Sequence, residues 1–454
     1  MSTDSHGAGI HILGGGPAGL AAAYYAAKDG LDFEVLEAGS RPGGNSRTLR
    51  LGEFLFDTGA HRLHDKDPEV TAEFRALLDG ELLEVRAPSQ IFSGGRLFDF
   101  PLQPGSLGRG LDLGTLCRIV LENMRPRPRR PAESFGQLAL DRYGRTLAGL
   151  FLLNYSKKLW GTDPFRLSTE VSGGRLKGLD LAGFLRETFL GRSRPAGHLD
   201  GSFLYPRHGI GAVVDRMCET IGEERIRLDS RVTRLAHSRG RLDRVVLNGR
   251  EEVEVSTVIN TLPLTLSAKI LDPPPPPEVL AAADAVRYRN LVLCVFALDR
   301  PSFTPNASLY FPGEEFPFTR LYEPRNRSRH MAPGGRTAIV LEMPCYPEDP
   351  LWSLPDGELR RRAWRALQRV QPIEEGEVLR FAVLRLPFAY PVLEAGLAGR
   401  VELLVDYFRS FESMHLAGRS SLFRYLHLHD LFREGRELVG SLARDDRRPK
   451  PVPG

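Results

Sequence analysis

The chain has 454 residues, of which 42% are hydrophobic and 26% charged, and its formal net charge is +4. This length exceeds what one hydrophobic core usually supports, so we expect two interleaved domains, and the composition excludes a disordered or fibrous protein. The small positive charge is compatible with an anionic substrate.

The start of the chain and its cysteines indicate a cytoplasmic protein. The first residues, MSTDSHGAG, contain neither a basic region nor an apolar run, so we expect no signal peptide. The longest aliphatic runs, such as residues 291–298, are too short to span a bilayer. The cysteines lack C-x-x-C spacing, which predicts a reducing compartment and neither a metal site nor a redox pair. They are Cys117, Cys218, Cys294 and Cys345.

Residues 10–45 predict a βαβ unit that holds a dinucleotide. A short apolar strand leads into a G-x-G-x-x-G turn, whose glycines permit the tight bend, the approach of a pyrophosphate and the close packing of helix on strand. The start of the following Ala-rich helix, at Pro17 and Ala18, offers free N–H groups and partial positive charge to an anion. Such turns also occur without a ligand, but here the preceding strand, the following helix and a later acidic residue all favour a dinucleotide site. The glycines of the turn are Gly14, Gly16 and Gly19.

The second strand, residues 33–36, ends at Glu37, whose carboxylate can accept hydrogen bonds from both ribose hydroxyls of an adenosine. The same carboxylate argues against a 2′-phosphate at this position. A second glycine pair follows, and with it the segment resembles flavoproteins that bind FAD through a Rossmann unit. The resemblance implies that this pair reaches the pyrophosphate and the flavin, and since NAD(P) enzymes usually lack it, FAD is the expected cofactor. The residues assigned to FAD here are Glu37, Ala38, Arg41, Gly43, Gly44 and Asn45.

An alternating strand that begins at residue 52 breaks at Gly59, where the backbone can approach a flat ring closely. The G-x-H-x-x-H pattern there resembles the block that UDP-galactopyranose mutases carry beside the isoalloxazine. Protoporphyrinogen-oxidase-like and amine-oxidase-like flavoproteins have similar segments. The resemblance implies that Gly59, Ala60 and His61 lie near the flavin, and it gives His61 a catalytic role. The alternative is that His61 and His64 cap turns on a loop, since imidazoles serve both roles.

Residues 66–201 are predicted to be a helical insertion. Within it, residues 125–131 form a basic linker that either touches anionic lipid or phosphate or is only solvated. This linker carries no interleaved aromatic residues, so no nucleic-acid partner is expected. The spacing of apolar residues over 133–159 predicts helix, and this helix leads into a block that resembles the Lys, Trp and Thr-Asp-Pro sequence of the mutases. In the mutases, an arginine that contacts the substrate diphosphate follows this block. For the tryptophan, core packing is the alternative to stacking on substrate or flavin. The substrate residues implied by this resemblance are Tyr155, Trp160 and Arg175.

Two further segments complete the chain up to residue 399. By the same resemblance, residues 202–270 return to the FAD domain, with Val232 against the adenine and Thr261 beneath the cofactor. A polyproline spacer then opens a second excursion over residues 271–399.

The second excursion contributes candidate substrate residues. Its Thr-Arg dipeptide resembles the second diphosphate arginine of the mutases, so Arg320 is assigned to substrate binding and catalysis, with a surface salt bridge as the alternative. Tyr390 is assigned to the same two roles because its Tyr-Pro-Val context resembles that of a substrate tyrosine in the mutases. Glu342 lies on an apolar strand, where a buried carboxylate would need a partner.

The last block, residues 418–430, resembles the closing FAD motif of these flavoproteins. The resemblance implies that Gly418 and Arg419 open a helix toward the flavin and that Tyr425 and Leu426 also contact the cofactor. His427, and His429 after it, stand where the mutases carry aspartates, and His427 is assigned to the substrate.

Together these patterns predict an α/β fold: a discontinuous Rossmann-type FAD-binding domain interleaved with an α+β substrate domain. The FAD domain is expected to comprise 1–65, 202–270 and 400–445, the helical insertion 66–201, the mixed α/β substrate domain 271–399 and a disordered tail 446–454.

Three functions remain open at this point. The favoured one is an FAD-dependent oxidoreductase in which flavin N5 takes a hydride from a polar, anionic or sugar-derived small molecule. The runner-up is a mutase-like flavoenzyme that contracts the ring of a nucleotide sugar with reduced FAD as nucleophile. The third is a nucleotide-binding protein without turnover. The sequence does not indicate the electron acceptor or the oligomeric state.

Overall fold

A five-stranded parallel sheet carries the predicted dinucleotide site in this computed structural model, which describes residues 9–64, 67–124, 131–172 and 202–446. The strands run in the order β20-β13-β1-β2-β9. Because β1 is central, with β2, the next strand of the chain, on one side and the much later β13 on the other, the carboxyl ends of β1 and β13 border a crevice of the kind that binds dinucleotides. The strands are β1 (Ile10–Leu13), β2 (Phe33–Leu36), β9 (Ile226–Arg227), β13 (Thr257–Asn260) and β20 (Met414–Leu416).

The Ala-rich helix α1 is buried between this sheet and neighbouring helices. Every residue from Gly19 to Ala26 is buried, because the small side chains let other backbones approach. A Cβ added to Gly435 would lie 3.0 Å from the carbonyl carbon of Ala21, so the C-terminal helix packs almost directly on the α1 backbone. The helices of this layer are α1 (Pro17–Lys28), α2 (Pro68–Leu77), α7 (Gly211–Ile221) and α13 (Leu428–Asp446).

Smaller sheets extend the same half of the molecule. A four-stranded sheet has the order β12-β11-β10-β14, and two antiparallel pairs are formed by β3 with β4 and by β5 with β8. The strands are β3 (Thr48–Leu51), β4 (Phe54–Asp57), β5 (Leu82–Val85), β8 (Phe203–Pro206), β10 (Val232–Ser238), β11 (Arg241–Leu247), β12 (Glu251–Glu254) and β14 (Leu271–Asp272). The helices beside them are α8 (Leu264–Lys269), α9 (Pro277–Ala285) and α12 (Ala398–Arg409).

A seven-stranded sheet forms the second half, in the order β19-β15-β18-β17-β16-β6-β7. Strands β15 and β18 are buried at every position, because alternate side chains face two different cores. Leu291, Leu293 and Val295 pack with Phe56, whereas the residues between them pack against α11. The strands are β6 (Ser89–Ser93), β7 (Arg96–Phe100), β15 (Tyr288–Leu298), β16 (Ser308–Tyr310), β17 (Arg320–Tyr322), β18 (Thr337–Cys345) and β19 (Val378–Pro391), and α11 is Asp356–Leu367.

A helical layer covers one end of this sheet. Helix α5 is broken at Gly144, whose φ of 74° lies outside the range of an α-helix. The region predicted as one or two helices therefore contains two helical segments that meet at this kink, followed by a π-helical turn at Gly149–Leu153. The remaining helices are α3 (Pro104–Gly110), α4 (Leu113–Asn123), α5 (Phe135–Ala148), α6 (Asn154–Trp160) and α10 (Pro350–Ser353). Short 3₁₀ turns occur at Thr169–Ser172, Glu223–Arg225, Pro324–Asn326, Arg329–Met331, Glu375–Glu377 and Ala395–Leu397.

The α/β fold class is confirmed by these parallel and mixed sheets. The strand pairing also shows something that the sequence pattern did not indicate: the hairpin β6–β7 forms the edge of the seven-stranded sheet, where β6 pairs in parallel with β16. Three predicted features, Arg175, nearly all of the basic linker 125–131, and the tail from residue 447, lie outside the described residues.

Candidate functional site

The glycine-rich turn after β1 leaves open space where a ligand can approach. Gly14 has a φ of +99°, in the left-handed region that favours glycine. A Cβ on Gly19 would lie 2.0 Å from the Gly14 carbonyl oxygen, so a side chain there is excluded by backbone. Gly16 is different, because its φ is −76° and an added Cβ would meet nothing within 4 Å. The space beside Gly16, at the N-terminus of α1, therefore fits a pyrophosphate.

The second glycine pair packs on this turn. The Gly43 N–H donates to the Gly15 carbonyl oxygen at 2.7 Å, and a Cβ on Gly44 would lie 3.1 Å from the Gly16 Cα. The side chain of Arg41, which the resemblance assigns to FAD, is exposed, and its charge acts on Asp215 of α7.

Glu37 stands at the carboxyl end of β2, where the sequence placed it. Its Oε2 accepts from the Gly15 N–H and its Oε1 from the Gly39 N–H, each at 2.7 Å. Each carboxylate oxygen keeps capacity for another donor, as a ribose would require. Beside it, the Ser230 N–H donates to the Glu37 carbonyl oxygen at 2.8 Å, which brings the start of β10 at Val232 close to Glu37 and Ala38.

We expect Glu37→Gln to weaken FAD binding by about tenfold or more, because a neutral amide loses charge-assisted hydrogen bonds and cannot accept at both of its atoms. The measurement is the dissociation constant for FAD after removal and reconstitution of the cofactor. An unchanged constant would remove Glu37 from the ribose.

Two segments from later in the chain converge on the start of α1. A Cβ on Gly418, whose φ is +89°, would lie 2.4 Å from the Ala18 Cβ. The Thr261 hydroxyl donates to the Leu13 carbonyl oxygen at 2.7 Å. The glycine turn, the end of β13 and the closing block therefore border one place.

The closing block is a turn braced by Arg419 and differs from the expected helix. The Gly418 carbonyl oxygen accepts a hydrogen bond from the Leu422 N–H at 3.0 Å, which closes a single helical turn. The continuous helix begins only at Leu428. The Arg419 Nε donates to the Leu426 carbonyl oxygen at 3.1 Å, and its guanidinium lies 5.0 Å from the centroid of the Tyr425 ring.

Arg320 forms an ion pair with Glu342 inside the molecule. The two residues are directly opposite in the pairing of β17 with β18, and the Arg320 Nε donates to Glu342 Oε2 at 2.7 Å. The other carboxylate oxygen, Oε1, accepts the Ala60 N–H at 2.7 Å. Glu342 thus connects Arg320 to the segment that holds Gly59 and His61. Burial lowers the pKa of Arg320, but Glu342 and nearby tyrosines raise it, and the pKa stays well above its ordinary value.

Arg320 is the partner that the carboxylate of Glu342 needs on its apolar strand. Arg320 does form a salt bridge, as the alternative to a substrate contact required, but the pair lies inside the protein, since the side chain of Arg320 is 17% exposed and that of Glu342 is 2% exposed. Sequence reasoning omitted Glu342 from the site residues, although its position on an apolar strand was the signal.

His61 is held as a neutral imidazole. Burial, together with the charges of Arg419, Arg327 and Arg320, lowers its pKa to about 4, against a backbone hydrogen bond at Asn45. Its Nε2 atom is buried and has no hydrogen-bond partner among the described residues, which leaves it available to a ligand. Arg327, which the sequence did not indicate, donates from Nη1 to the His61 carbonyl oxygen at 2.8 Å.

The neutral state of His61 makes folding pH-dependent. Below the ordinary pKa of 6.5 the unfolded chain binds a proton at this imidazole, whereas the folded chain does so only near pH 4. The stability that this histidine carries is therefore present above pH 6.5 and decreases as pH falls toward 4, by at most about 3 kcal/mol. His61→Gln should flatten this part of the urea-midpoint profile against pH. Parallel profiles for the variant and the wild type would contradict the assignment.

The predicted substrate residues come together around Arg320. The Trp160 ring lies 6.1 Å from the Tyr390 ring and 5.8 Å from the Tyr425 ring, centroid to centroid. The Tyr155 ring lies 5.8 Å from the Tyr310 ring, centroid to centroid, and both tyrosines raise the pKa of Arg320. Trp160 is buried in the hydrophobic cluster of the helical layer.

Histidine rings continue this aromatic set. His427 lies 5.4 Å from Tyr425 and 5.9 Å from His64, and it stacks on His429 at 5.7 Å. The Asp430 carboxylate accepts the His427 backbone N–H at 2.9 Å, which fixes the turn before α13.

Lys158 fixes the loop that precedes Arg320. Its Nζ donates to the carbonyl oxygens of Phe311, Gly313 and Phe318 at 2.8, 2.7 and 3.0 Å. Burial lowers its pKa to about 8. The sequence block around Trp160 thus contributes a residue that positions β17 through three backbone contacts.

Within residues 9–64, 67–124, 131–172 and 202–446, no group of histidine, cysteine, aspartate or glutamate side chains is arranged to hold a metal ion. No helix among the described residues combines the length and the apolar character needed to cross a membrane.

Comparisons with known proteins agree with this geometry. The family model of flavin-containing amine oxidoreductases matches residues 17–421. A solved structure of reduced UDP-galactopyranose mutase has a TM-score of 0.82 at 20% identity and covers 96% of this chain and 95% of its own. A structure named for protoporphyrinogen oxidase from Exiguobacterium sp. 255-15 has a TM-score of 0.75 at 20% identity, over 96% and 98% of the two chains.

A curated relative points the same way. Protoporphyrinogen oxidase 2 of Arabidopsis thaliana is 25% identical over 265 residues, and the chain spans about half the length of this relative, 51%. Open space at Gly16, spare acceptors on Glu37 and the unpaired Nε2 of His61 fit a bound FAD. The predicted resemblance and cofactor are confirmed: this chain belongs to the flavin-containing amine oxidoreductase family, whose cofactor is FAD.

Proposed function

We propose that the protein is an FAD-dependent oxidoreductase whose substrate is a small polar molecule with negative charge, including sugar-derived acids. The observation that carries this proposal is the charge around His61. Three guanidinium groups, those of Arg320, Arg327 and Arg419, act on this imidazole. Two carboxylates oppose them: Glu342, which Arg320 already engages, and the buried Asp57. The remaining potential is positive and attracts anions.

The same charge argues against a cationic amine. Putrescine oxidase and cyclohexylamine oxidase share the fold, with TM-scores of 0.66 and 0.67 and identities of 18% and 15%, and their names specify amines. A protonated amine would face the guanidinium groups, and like charges in a site of low dielectric repel each other. We therefore assign a different substrate class to this chain.

The residues of the chain have distinct roles in this proposal. When bound, FAD supplies a hydride acceptor or, once reduced, a nucleophile. Arg320 orients the anionic group of the substrate, and Glu342 positions Arg320. The rings of Trp160 and Tyr390 exclude water from the reacting carbon. His61, neutral at pH 7, offers a hydrogen-bonding nitrogen without adding charge.

The second candidate is a mutase that contracts the ring of a nucleotide sugar. Its support is the group of Tyr155, Trp160 and Tyr390 around Arg320. Glu342 occupies two nitrogens of that guanidinium, so the substrate anion of either candidate would bind at its remaining nitrogen. Against the mutase, His427 stands where the mutases carry an aspartate.

A substrate panel tests the proposal. The FAD-loaded protein is mixed anaerobically with putrescine, cyclohexylamine, protoporphyrinogen and a set of sugar acids, and loss of the flavin absorbance is followed. We expect reduction by an anionic member and none by the two amines. Reduction by an amine would contradict the charge argument. Furanose formation from UDP-galactose by dithionite-reduced protein, without net redox change, would establish the second candidate.

A further inference from the structure

Arg327 is a buried cation, only 3% exposed, whose hydrogen bonds go to uncharged oxygens. Its Nη1 donates to the His61 carbonyl oxygen at 2.8 Å. Its Nη2 donates to the Ala307 carbonyl oxygen at 3.4 Å and to the Ser308 hydroxyl at 3.3 Å. The Nε atom is buried and has no hydrogen-bond partner among the described residues. The guanidinium is therefore held in place without a carboxylate bonded to it in that part of the chain.

Aromatic rings surround this guanidinium. Its central carbon lies 4.7 Å from the centroid of the Tyr322 ring, 5.8 Å from that of Tyr205 and 6.0 Å from that of Phe203. Ring faces attract a cation, but they carry no net charge and do not neutralise it. The positive charge of Arg327 thus persists inside the protein.

The buried carboxylate of Asp57 feels the charge of Arg327 but is bonded elsewhere. Its Oδ2 accepts from the Tyr205 hydroxyl at 2.5 Å. Its Oδ1 accepts from the Thr48 hydroxyl at 2.7 Å and from the Ile210 N–H at 3.1 Å. Asp57 is therefore satisfied by these three donors and does not fix the guanidinium.

A buried cation without a bonded counterion is one of the most costly groups that a folded protein can contain. A neutral side chain that donates to the His61 carbonyl oxygen would fold at a lower cost. Charges buried against this cost are concentrated at functional sites. The charge of Arg327 therefore requires a function that a neutral donor would not perform.

His61, to which Arg327 is bonded, borders the cofactor crevice. The imidazole has a backbone hydrogen bond at Asn45, which directly follows Gly44, and Gly44 packs on the glycine turn. Arg419 of the closing block acts on the same imidazole. His61 thus lies between two segments that border the site assigned to FAD, and Arg327 places a fixed positive charge behind it.

We propose that Arg327 is a positioning residue for His61 whose fixed charge also stabilises the reduced, anionic form of the bound FAD. Reduction of FAD by two electrons and one proton leaves one negative charge on the cofactor. A cation held nearby in a site of low dielectric favours this form over the neutral oxidised ring. The proposal applies to both candidate functions, since both use reduced FAD, and failure of the substrate panel would leave it intact.

The midpoint potential of the bound FAD tests the proposal, measured by anaerobic titration with dithionite against a reference dye. Arg327→Gln removes the charge but keeps a donor for the His61 carbonyl oxygen. It should weaken the preference for reduced FAD by about tenfold or more, which for two electrons is about 30 mV or more of lowered potential. Arg327→Lys keeps the charge and should stay near the wild-type potential. A purely structural role would affect the two variants alike.

Arg289→Gln is the matched control. Arg289 is also buried, at 4% exposed, and it donates to the Pro344 carbonyl oxygen at 2.7 Å. Its guanidinium lies 4.3 Å from the centroid of the Tyr346 ring. The arginines whose charges lower the pKa of His61 are others, so this control should keep the wild-type potential.

Three results would overturn the proposal: an unchanged potential in Arg327→Gln, equal losses in Arg327→Gln and Arg327→Lys, or an equal shift in the Arg289 variant. If Arg327→Gln does not fold, the wild type decides. Its bound FAD should have a higher midpoint potential than free FAD, because the site then holds the reduced form more tightly. A potential below that of free FAD would contradict the stabilisation.

Discussion

Replacing Arg320 by methionine is expected to lower the free energy of unfolding by about 3–5 kcal/mol. The substitution leaves the Glu342 carboxylate, 2% exposed, with the Ala60 N–H as its recorded donor in the described residues. A buried charge without its counterion is far more costly than the loss of the ion pair itself. The measurement is the urea midpoint of the FAD-loaded variant against the wild type.

Two controls separate this effect from the loss of any arginine. Arg241→Met removes an exposed pair with Glu412 at 3.2 Å, with side chains 52% and 75% exposed, and should cost no more than about 1 kcal/mol. Replacing Arg320 and Glu342 together should restore part of the stability, since the uncompensated charge is gone. If Arg320→Met is no more destabilising than Arg241→Met, the internal ion pair has no structural role.

Activity and cofactor should respond differently in the same variant. Below its melting temperature, Arg320→Met should retain FAD, because none of the polar contacts of Arg320 in the described part of the chain involves the glycine turn or Glu37. Turnover with an anionic substrate should fall sharply. Loss of FAD by a folded variant would place Arg320 at the cofactor.

Local patterns predicted the dinucleotide unit well. The strand at 10–13, the helix from Pro17 and the acidic residue Glu37 each depend on residues close together in the sequence, and the structure places them as expected. Burial of α1 on all sides also follows from its alanines. Patterns of this kind need no knowledge of distant partners.

The rest of the site depends on pairing between distant segments. Arg320 meets Glu342 only because β17 and β18 pair in one register, and a shift of one residue would separate them. Likewise, Gly418 reaches Ala18 only after the chain has crossed both halves of the molecule. The lowered pKa of His61 depends on its burial and on arginines that lie far along the chain, Arg320, Arg327 and Arg419. None of these contacts leaves a local signal except the unpaired carboxylate on an apolar strand.

Gly16→Ala is expected to abolish FAD retention while the protein still folds. The backbone of Gly16 has a φ of −76°, which alanine adopts freely, and the added Cβ would meet no atom of the chain within 4 Å. The new methyl group therefore clashes with no atom of the chain, but it would clash with a ligand that fills this space. Gly19→Ala is unsuitable, since its Cβ would strike the Gly14 carbonyl oxygen.

Gly357→Ala provides the matched control, because an added Cβ also meets nothing within 4 Å there and the residue lies in α11, on the seven-stranded sheet. The control should retain FAD and melt at or slightly above the wild-type temperature. The Gly16 variant, prepared without cofactor, should melt as the cofactor-free wild type does.

The affinity of Gly16→Ala for FAD is the most direct test that the turn at Gly16, the glycine pair at Gly43 and the block at Gly418 form one cofactor site. Titration of the cofactor-free protein with FAD should show affinity reduced by about a hundredfold or more, with the fold intact. Wild-type affinity in this variant would contradict the placement of the pyrophosphate, and with it the account of the site.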